Sequence, residues 1–257
     1  MTGSAPSDNS IARYYQSEEY ISHSDTRKGF INFIYHRVRS LMLDRKKKLI
    51  ERNVGGPFGS LLDIGAGTGY FLHYMREHGW MVKGTEKSAA ARAFADQQWN
   101  MELLPEEGLD TLPEHSFDAV TLWHVMEHLY NLEHYWERLV KLLKKDGCLL
   151  IALPNPESWD SRHFREYWAA WDVPRHLWHF SPENIVRLAG KYGFRLRKTL
   201  RMPFDAFYVS ILSEKYRKSG FPVLKGLFWG TVSWLSSMFN IRKSSSLIYV
   251  FAVDTLS

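Results

Sequence analysis

Leu61-Leu62-Asp63-Ile64-Gly65-Ala66-Gly67-Thr68-Gly69-Tyr70-Phe71-Leu72 is the stretch that decides the fold of this chain. An apolar run carrying a carboxylate near its end reads as a buried strand, the glycines after it as a tight turn, and Tyr70 onward as the start of a helix. Gly65, Gly67 and Gly69 lack Cβ atoms, so the backbone turns sharply and brings its N–H groups close to a ligand at the helix N-terminus. A dinucleotide fingerprint needs its third glycine at position 70, where this chain places Tyr70. The turn therefore points to a nucleotide-like ligand and weakens the pyrophosphate reading.

Downstream spacing supports that ligand. Met81-Val82-Lys83-Gly84-Thr85-Glu86 reads as a second strand ending in a carboxylate, with Ser88 capping a helix that runs to Gln97. Glu86 lies at the distance of roughly 20 residues from the turn at which ribose-binding acids fall, and a carboxylate accepts two hydroxyls. A third strand is expected over Met101 to Leu104, followed by the loop Pro105 to Leu109, and a fourth over Phe117 to Leu122. Leu139 to Lys145 ends a helix and Asp146-Gly147 turns the chain. Cys148 to Leu153 is apolar throughout, as strands inside parallel sheets are. Phe194 to Leu200 and Leu247 to Val253 read as the last two strands.

An acidic residue at a strand end followed by G-x-G-x-G resembles motif I of the class I S-adenosylmethionine-dependent methyltransferases. Trp123-His124-Val125-Met126-Glu127-His128-Leu129 resembles the motif after strand four in the ubiquinone-biosynthesis O-methyltransferases and their relatives. The resemblance implies an α/β fold, doubly wound, with a mostly parallel seven-stranded sheet whose last two strands pair antiparallel. It implies S-adenosylmethionine as cofactor, its amino-acid end held by Asp63, Gly65, Ala66 and Gly67. Gly69, Glu86 and Lys87 extend that site, Gly108 and Leu109 stand where the family holds adenine, and Trp123 and His124 follow strand four. An N-terminal appendage often closes over the cofactor in this family, which makes Tyr20, His23 and Tyr35 candidates for contact.

His124, Glu127 and His128 fall at i, i+3 and i+4, so on a helix they share one face. They formally match the inverted zinc-protease signature, which belongs to a different structural context. In small-RNA 2′-O-methyltransferases a Glu-x-x-Glu-His set at this position, joined by a later histidine, binds a divalent metal; here His124 replaces the first glutamate, and no metal is assigned. The bland reading has Glu127 and His128 bracing neighbouring loops through hydrogen bonds. For catalysis the candidates are His124 and His176 as base, because an imidazole accepts a proton near neutrality, and Arg175 as a substrate-binding group or loop anchor. Arg175 and His176 lie in Ser158 to Phe180, an aromatic-dense segment expected to overhang the active site; Ser181 and Pro182 then start a helix.

With 257 residues the chain suits one α/β domain with appendages. We read 1–52 as lead-in and N-terminal helical lid. Residues 53–257 form the transferase domain, with an aromatic loop over 155–180 and a helical insertion over 204–243. Among 10 Trp, 13 Tyr and 15 Phe, those outside the strands are candidates for lining a pocket. Cys148 is the single cysteine, and no apolar signal segment is seen at the N-terminus, so a cytoplasmic setting is expected. The net charge of +5 is modest and forms no extended basic tract, so no nucleic-acid partner is expected. The stretch from Phe221 to Phe239 carries Lys225 as its one charge and enough Gly and Ser to make it a poor membrane span. It suits a self-packed helix, a dimer contact or a peripheral membrane contact. The expected activity is methyl transfer to a small or lipid-like acceptor, at oxygen. The alternatives are a metal-assisted ribose or catechol O-methyltransferase and a cofactor-binding module without turnover.

Overall fold

The computed structural model describes residues 30–254, with side chains from Val38 onward. Strand and helix alternate in the order the sequence predicts. Helix α1 (Phe30–Val54) leads into β1 (Ser60–Ile64), α2 (Tyr70–Glu77), β2 (Met81–Thr85), α3 (Ala89–Trp99), β3 (Phe117–Trp123), α4 (Leu132–Leu142) and β4 (Leu143–Pro154). Then come α5 (Trp159–Phe164), α6 (Pro182–Lys191), β5 (Phe194–Arg201), α7 (Asp205–Tyr216), α8 (Pro222–Phe239) and β6 (Ser246–Val253). The sheet has six strands in the order β2-β1-β3-β4-β6-β5. The described chain divides into two compact units, taken separately below: residues 30–122 with 137–149, and residues 123–136 with 150–254.

In the first unit β1 pairs in parallel with β2 and with β3, so the carboxyl ends of these strands share one edge. Every residue of β1 is buried, as an inner strand of a parallel sheet requires. The seventh strand expected over Met101 to Leu104 is reduced to a single parallel bridge between Thr85 and Leu104. Leu104 gives its N–H to Gly84 and takes the Glu86 N–H, and Pro105, lacking an N–H, cannot extend the ladder. Strand β4 corrects a second expectation. It begins at Leu143, ahead of the expected turn at Asp146-Gly147, and Lys144 reaches back to Asp118 at 2.8 Å.

In the second unit β5 and β6 run antiparallel, Phe194 opposite Val253 and Arg201 opposite Leu247, with one register shift between Leu196 and Lys198. Trp136 is fully buried against Tyr192, Phe194 and Phe251. Ser181 caps α6 by accepting from the Asn184 N–H, with Pro182 at the first helical position. Part of the aromatic loop is core. Phe164, Trp168, Ala169 and Ala170 pack with Val209 of α7, against Trp171, Leu212 and Trp229. Asp160, itself fully buried, accepts hydrogen bonds from Trp168 Nε1 (2.8 Å), Ser233 Oγ (2.9 Å) and Ser245 Oγ (2.7 Å). The Trp168 indole, which the sequence offered as a pocket lining, is therefore held inside by a carboxylate. Among the described residues, no helix is long and apolar enough to cross a membrane.

Candidate functional site

Within the first unit, the turn after β1 is pinned to the end of β2: the N–H groups of Gly65 and Ala66 both donate to the Thr85 carbonyl, at 2.8 and 3.0 Å. Gly65 and Gly67 have φ of 73° and 57°, the left-handed region that side chains resist. A Cβ at Gly67 would meet no atom within 4 Å, so the turn opens onto free space there, whereas at Gly69 it would press on Ala95 at 3.1 Å. Tyr70, which replaces the dinucleotide glycine, packs edge-on against Trp99 at 5.0 Å, and Arg39 of α1 lies over its ring.

Glu86 is buried and held at both carboxylate oxygens: Gly67 N–H donates to Oε2 and Ser88 N–H to Oε1, each at 2.8 Å. Asp63 is buried too, and Thr121 Oγ1 donates to its Oδ1 at 2.5 Å. Burial pushes the Asp63 carboxyl up to about 7, against the Thr121 bond and the Lys46 charge. Lys87 Nζ stands 3.8 Å from Glu106. Gly108 lies in a 3₁₀ turn (Glu106–Thr111). The Leu109 side chain is core, and its carbonyl accepts from Arg138 at 3.1 Å. Gly84 was missed in the sequence reading: a Cβ there would meet Leu103 at 2.8 Å, so strand, turn and helix close only over a glycine. A glycine inside a strand was the available signal.

Within the second unit, the segment after β3 is not the expected helix. Trp123 ends the strand half-buried, His124 has a left-handed φ of 57°, and only Met126–His128 forms a single 3₁₀ turn. His124, Glu127 and His128 therefore share no helical face. His124 is nonetheless set between two carboxylates, with Nδ1 3.4 Å from Glu127 Oε1 and Nε2 3.0 Å from Asp205 Oδ2. Burial works against a charged imidazole, but Asp205 and Glu127 outweigh it and raise the His124 pKa well above its ordinary value. Glu127 is lowered in turn, its own burial overcome by His124. An imidazole held between two carboxylates favours its protonated form, which leaves His124 less able to accept a proton than a neutral histidine. Asp205, at the start of the segment read as an insertion, gave no sequence signal of this role.

The Glu127 carbonyl accepts from the N–H groups of Leu177 (2.8 Å) and Trp178 (3.2 Å), so the bracing role expected of this residue falls to its backbone. Its carboxylate oxygens are buried, and apart from the ion pair with His124 at 3.4 Å they meet no hydrogen-bond donor among the described residues. His128 Nδ1 faces the Arg175 carbonyl at 3.0 Å and His176 Nδ1 the Ala170 carbonyl at 2.8 Å. A carbonyl only accepts, so both Nδ1 atoms carry the proton and both Nε2 atoms a lone pair. Burial lowers the pKa of His128 and of His176. Their rings meet edge-on with centroids 4.7 Å apart. Arg175 is turned to Asp172, with Nε at 3.0 Å and NH2 at 2.7 Å from Oδ1, an anchoring contact within its own loop. Glu127, His128 and His176 each offer one ligand-type atom, all within 4.8 Å of one another, the sole set of this kind among the described residues. Tyr20 and His23, and the Tyr35 side chain, lie outside the described residues.

A family model described as a methyltransferase domain matches residues 34–199. The ubiquinone biosynthesis O-methyltransferase of Bradyrhizobium diazoefficiens is 30% identical over 175 residues, covering 59% of this chain and 68% of that protein. Among solved structures, a SAM-dependent methyltransferase from Archaeoglobus fulgidus aligns over 87% of this chain and 100% of its own, with a TM-score of 0.56 and 19% identity. The phosphoethanolamine N-methyltransferase 2 of Haemonchus contortus, in complex with S-adenosyl-L-methionine, aligns over 82% of this chain and 53% of its own, with a TM-score of 0.54 and 19% identity.

Proposed function

This chain belongs to the class I S-adenosylmethionine-dependent methyltransferases, and from that premise we propose that it transfers the cofactor's methyl group to an oxygen of a small or lipid-like acceptor. The residues around the turn fit S-adenosylmethionine. Gly67 borders open space, and the Glu86 oxygens, each fixed by one backbone N–H, keep lone pairs for two ribose hydroxyls. Asp63, next to the last residue of β1, is our candidate for the cofactor's amino-acid end, as the family resemblance implies. When bound, the cofactor supplies a sulfonium methyl group to an in-line nucleophile. The protein's share of the work is alignment, exclusion of water and removal of a proton.

The observation that carries the oxygen assignment is His176, a buried imidazole whose Nδ1–H is held by the Ala170 carbonyl, which makes Nε2 the basic nitrogen of the ring. Asp172 Oδ2, 3.7 Å from that nitrogen, stabilises the imidazolium formed when it takes a proton. His124, already protonated, neutralises Glu127 and acts as a fixed charge. The curated relative is named for an O-methyltransferase, which agrees with this reading.

The test has two arms. Calorimetry with S-adenosylmethionine should show binding that Gly67→Arg and Glu86→Ala abolish; survival of binding in both variants overturns the cofactor site. A metabolite screen that follows cofactor demethylation should return hydroxyl acceptors, and products methylated only at nitrogen or carbon overturn the oxygen assignment.

One observation favours a second reading. Glu127, His128 and His176 make a two-histidine, one-carboxylate set, and among the described residues the buried Glu127 oxygens meet only the His124 ring, at 3.4 Å. This donor set suits a divalent transition metal, which would acidify an acceptor hydroxyl as in metal-assisted ribose or catechol methylation. Loss of activity on chelation, restored by a divalent ion, selects this reading over the His176 base.

A further inference from the structure

Helix α8 is turned inside out. Its buried stripe consists of its smallest residues, Gly226, Gly230, Ser233 and Ser237. A Cβ at Gly226 would fall on the backbone of Ile211, 2.7 Å from its nitrogen, and one at Gly230 would lie 2.8 Å from the Phe207 Cα. The stripe therefore lets α8 lie close against α7. The consequence is on the opposite side. Leu224, Leu227, Phe228, Leu235, Met238 and Phe239 all face outward, Leu224 with 69% and Phe239 with 91% of its surface exposed. A surface helix ordinarily does the reverse, burying its large apolar side chains and showing its small polar ones.

Charge identifies what covers this face. From Lys215 to Val253 the sequence contains no aspartate or glutamate, while Lys215, Arg217, Lys218, Lys225, Arg242 and Lys243 are all exposed. Three of these cations precede α8, one lies in its first turn and two follow it, so the apolar face is bracketed by positive charge at both ends. Near its start, an open cavity of about 660 Å³ has Arg217 and Lys225 beside Leu224, Phe228 and Trp229; its one acid, Glu214, is buried and stands 3.7 Å from Arg217, which leaves the exposed charge there positive. A second copy meeting α8 about a two-fold axis would bring like charges together where the exposed charged side chains from Lys215 to Lys243 are all cations. An anionic bilayer offers the complement: hydrocarbon for the leucines and phenylalanines, phosphate for the lysines and arginines.

We propose that α8 is a peripheral membrane-docking helix that lies in the plane of an anionic phospholipid surface. Its 18 residues extend about 27 Å along the surface, with the large apolar side chains in the acyl boundary. The docking is reversible and depends on ionic strength, because part of the attraction is between charges. It stands independently of the acceptor's identity.

Vesicle flotation of the full chain tests it, using phosphatidylcholine vesicles with and without equimolar phosphatidylglycerol. The protein should float with the anionic vesicles, weakly or not at all with phosphatidylcholine alone, and less in high salt. Lys225→Ala and Arg242→Ala should each weaken partition about fivefold, as expected for one cation at such a surface. The double variant Leu224→Asp/Phe228→Asp should abolish flotation, while Met81→Asp, an exposed apolar residue outside α8, should leave it unchanged. Near-ultraviolet circular dichroism and S-adenosylmethionine calorimetry establish that each variant is folded. Absence of flotation by the wild type, equal flotation on neutral vesicles, or flotation that survives the double variant overturns the proposal. So does a wild-type dimer in light scattering that the double variant converts to monomer.

Discussion

His124 Nε2 lies 3.0 Å from Asp205 Oδ2, so a residue just after β3 is tied to the first turn of α7 by an ion pair that fixes its protonation. The side chains are 31% and 20% exposed, which places the pair between surface and core. Asp205→Asn keeps the shape and removes the charge. We expect it to cost about 1–2 kcal/mol, or roughly 3–6 °C in Tm for a chain of this size. Differential scanning calorimetry of the two proteins at one pH reads the change.

The pH dependence of the first unit follows from Asp63. Its folded pKa, about 7, stands above the ordinary 3.8 because burial penalises the charged form. The stability it contributes is fully present below pH 3.8 and is lost as pH rises through 7, with a ceiling of order 4 kcal/mol. Urea unfolding of the cofactor-free protein should therefore show a decline between about pH 4 and 7 that Asp63→Asn removes. An identical decline in the variant assigns the effect to other groups.

Asp160 offers a test of the aromatic loop. Asp160→Ala leaves Trp168 Nε1, Ser233 Oγ and Ser245 Oγ without their shared acceptor in a buried position. A loss of about 3–5 kcal/mol is expected. Asp160→Asn, which keeps one acceptor oxygen, should lose less. The midpoint of chemical denaturation separates them, and tryptophan emission should shift red in the alanine variant as Trp168 gains water.

Gly226→Val tests whether close approach holds α8 on α7. The new side chain would collide with the Ile211 backbone, which cannot yield as a side-chain tip does. A cost of about 2–3 kcal/mol is expected from overpacking. Gly190→Val, where a Cβ meets nothing within 4 Å, is the matched control, with a cost limited to helix propensity. Thermal melts of the two variants should differ accordingly.

Chelation separates the two readings of the histidine cluster. With His176 as base, dialysis against a chelator leaves activity unchanged, and His128→Ala costs far less than His176→Ala. If the three residues hold a metal, the chelator abolishes turnover and the two alanine variants are equally impaired. Steady-state kinetics on any accepted substrate reads the difference.

Much of the cofactor side was legible from residue order. The glycine turn, the strand-end carboxylate at Glu86 and the serine caps at Ser88 and Ser181 all express themselves within a few residues, where backbone freedom and side-chain reach decide the outcome. The histidine segment was read correctly as a cluster but wrongly as a helix face. His124 takes a left-handed backbone that i, i+3, i+4 spacing cannot reveal, and its charge depends on Asp205 far along the chain. The seventh strand was misjudged because Met101 and Leu103 are buried as strand residues are, while ladder formation requires backbone partners that end at Pro105.

By itself the sequence determined the succession of strands and helices, the turn that suits S-adenosylmethionine and the family to which the chain belongs. Tertiary structure decided which histidine is charged, which tryptophans are core, and which face of α8 meets solvent. The physical reason is range. Turns, caps and periodicity are settled by neighbours along the chain, whereas protonation and burial are settled by whatever the fold brings within a few ångströms.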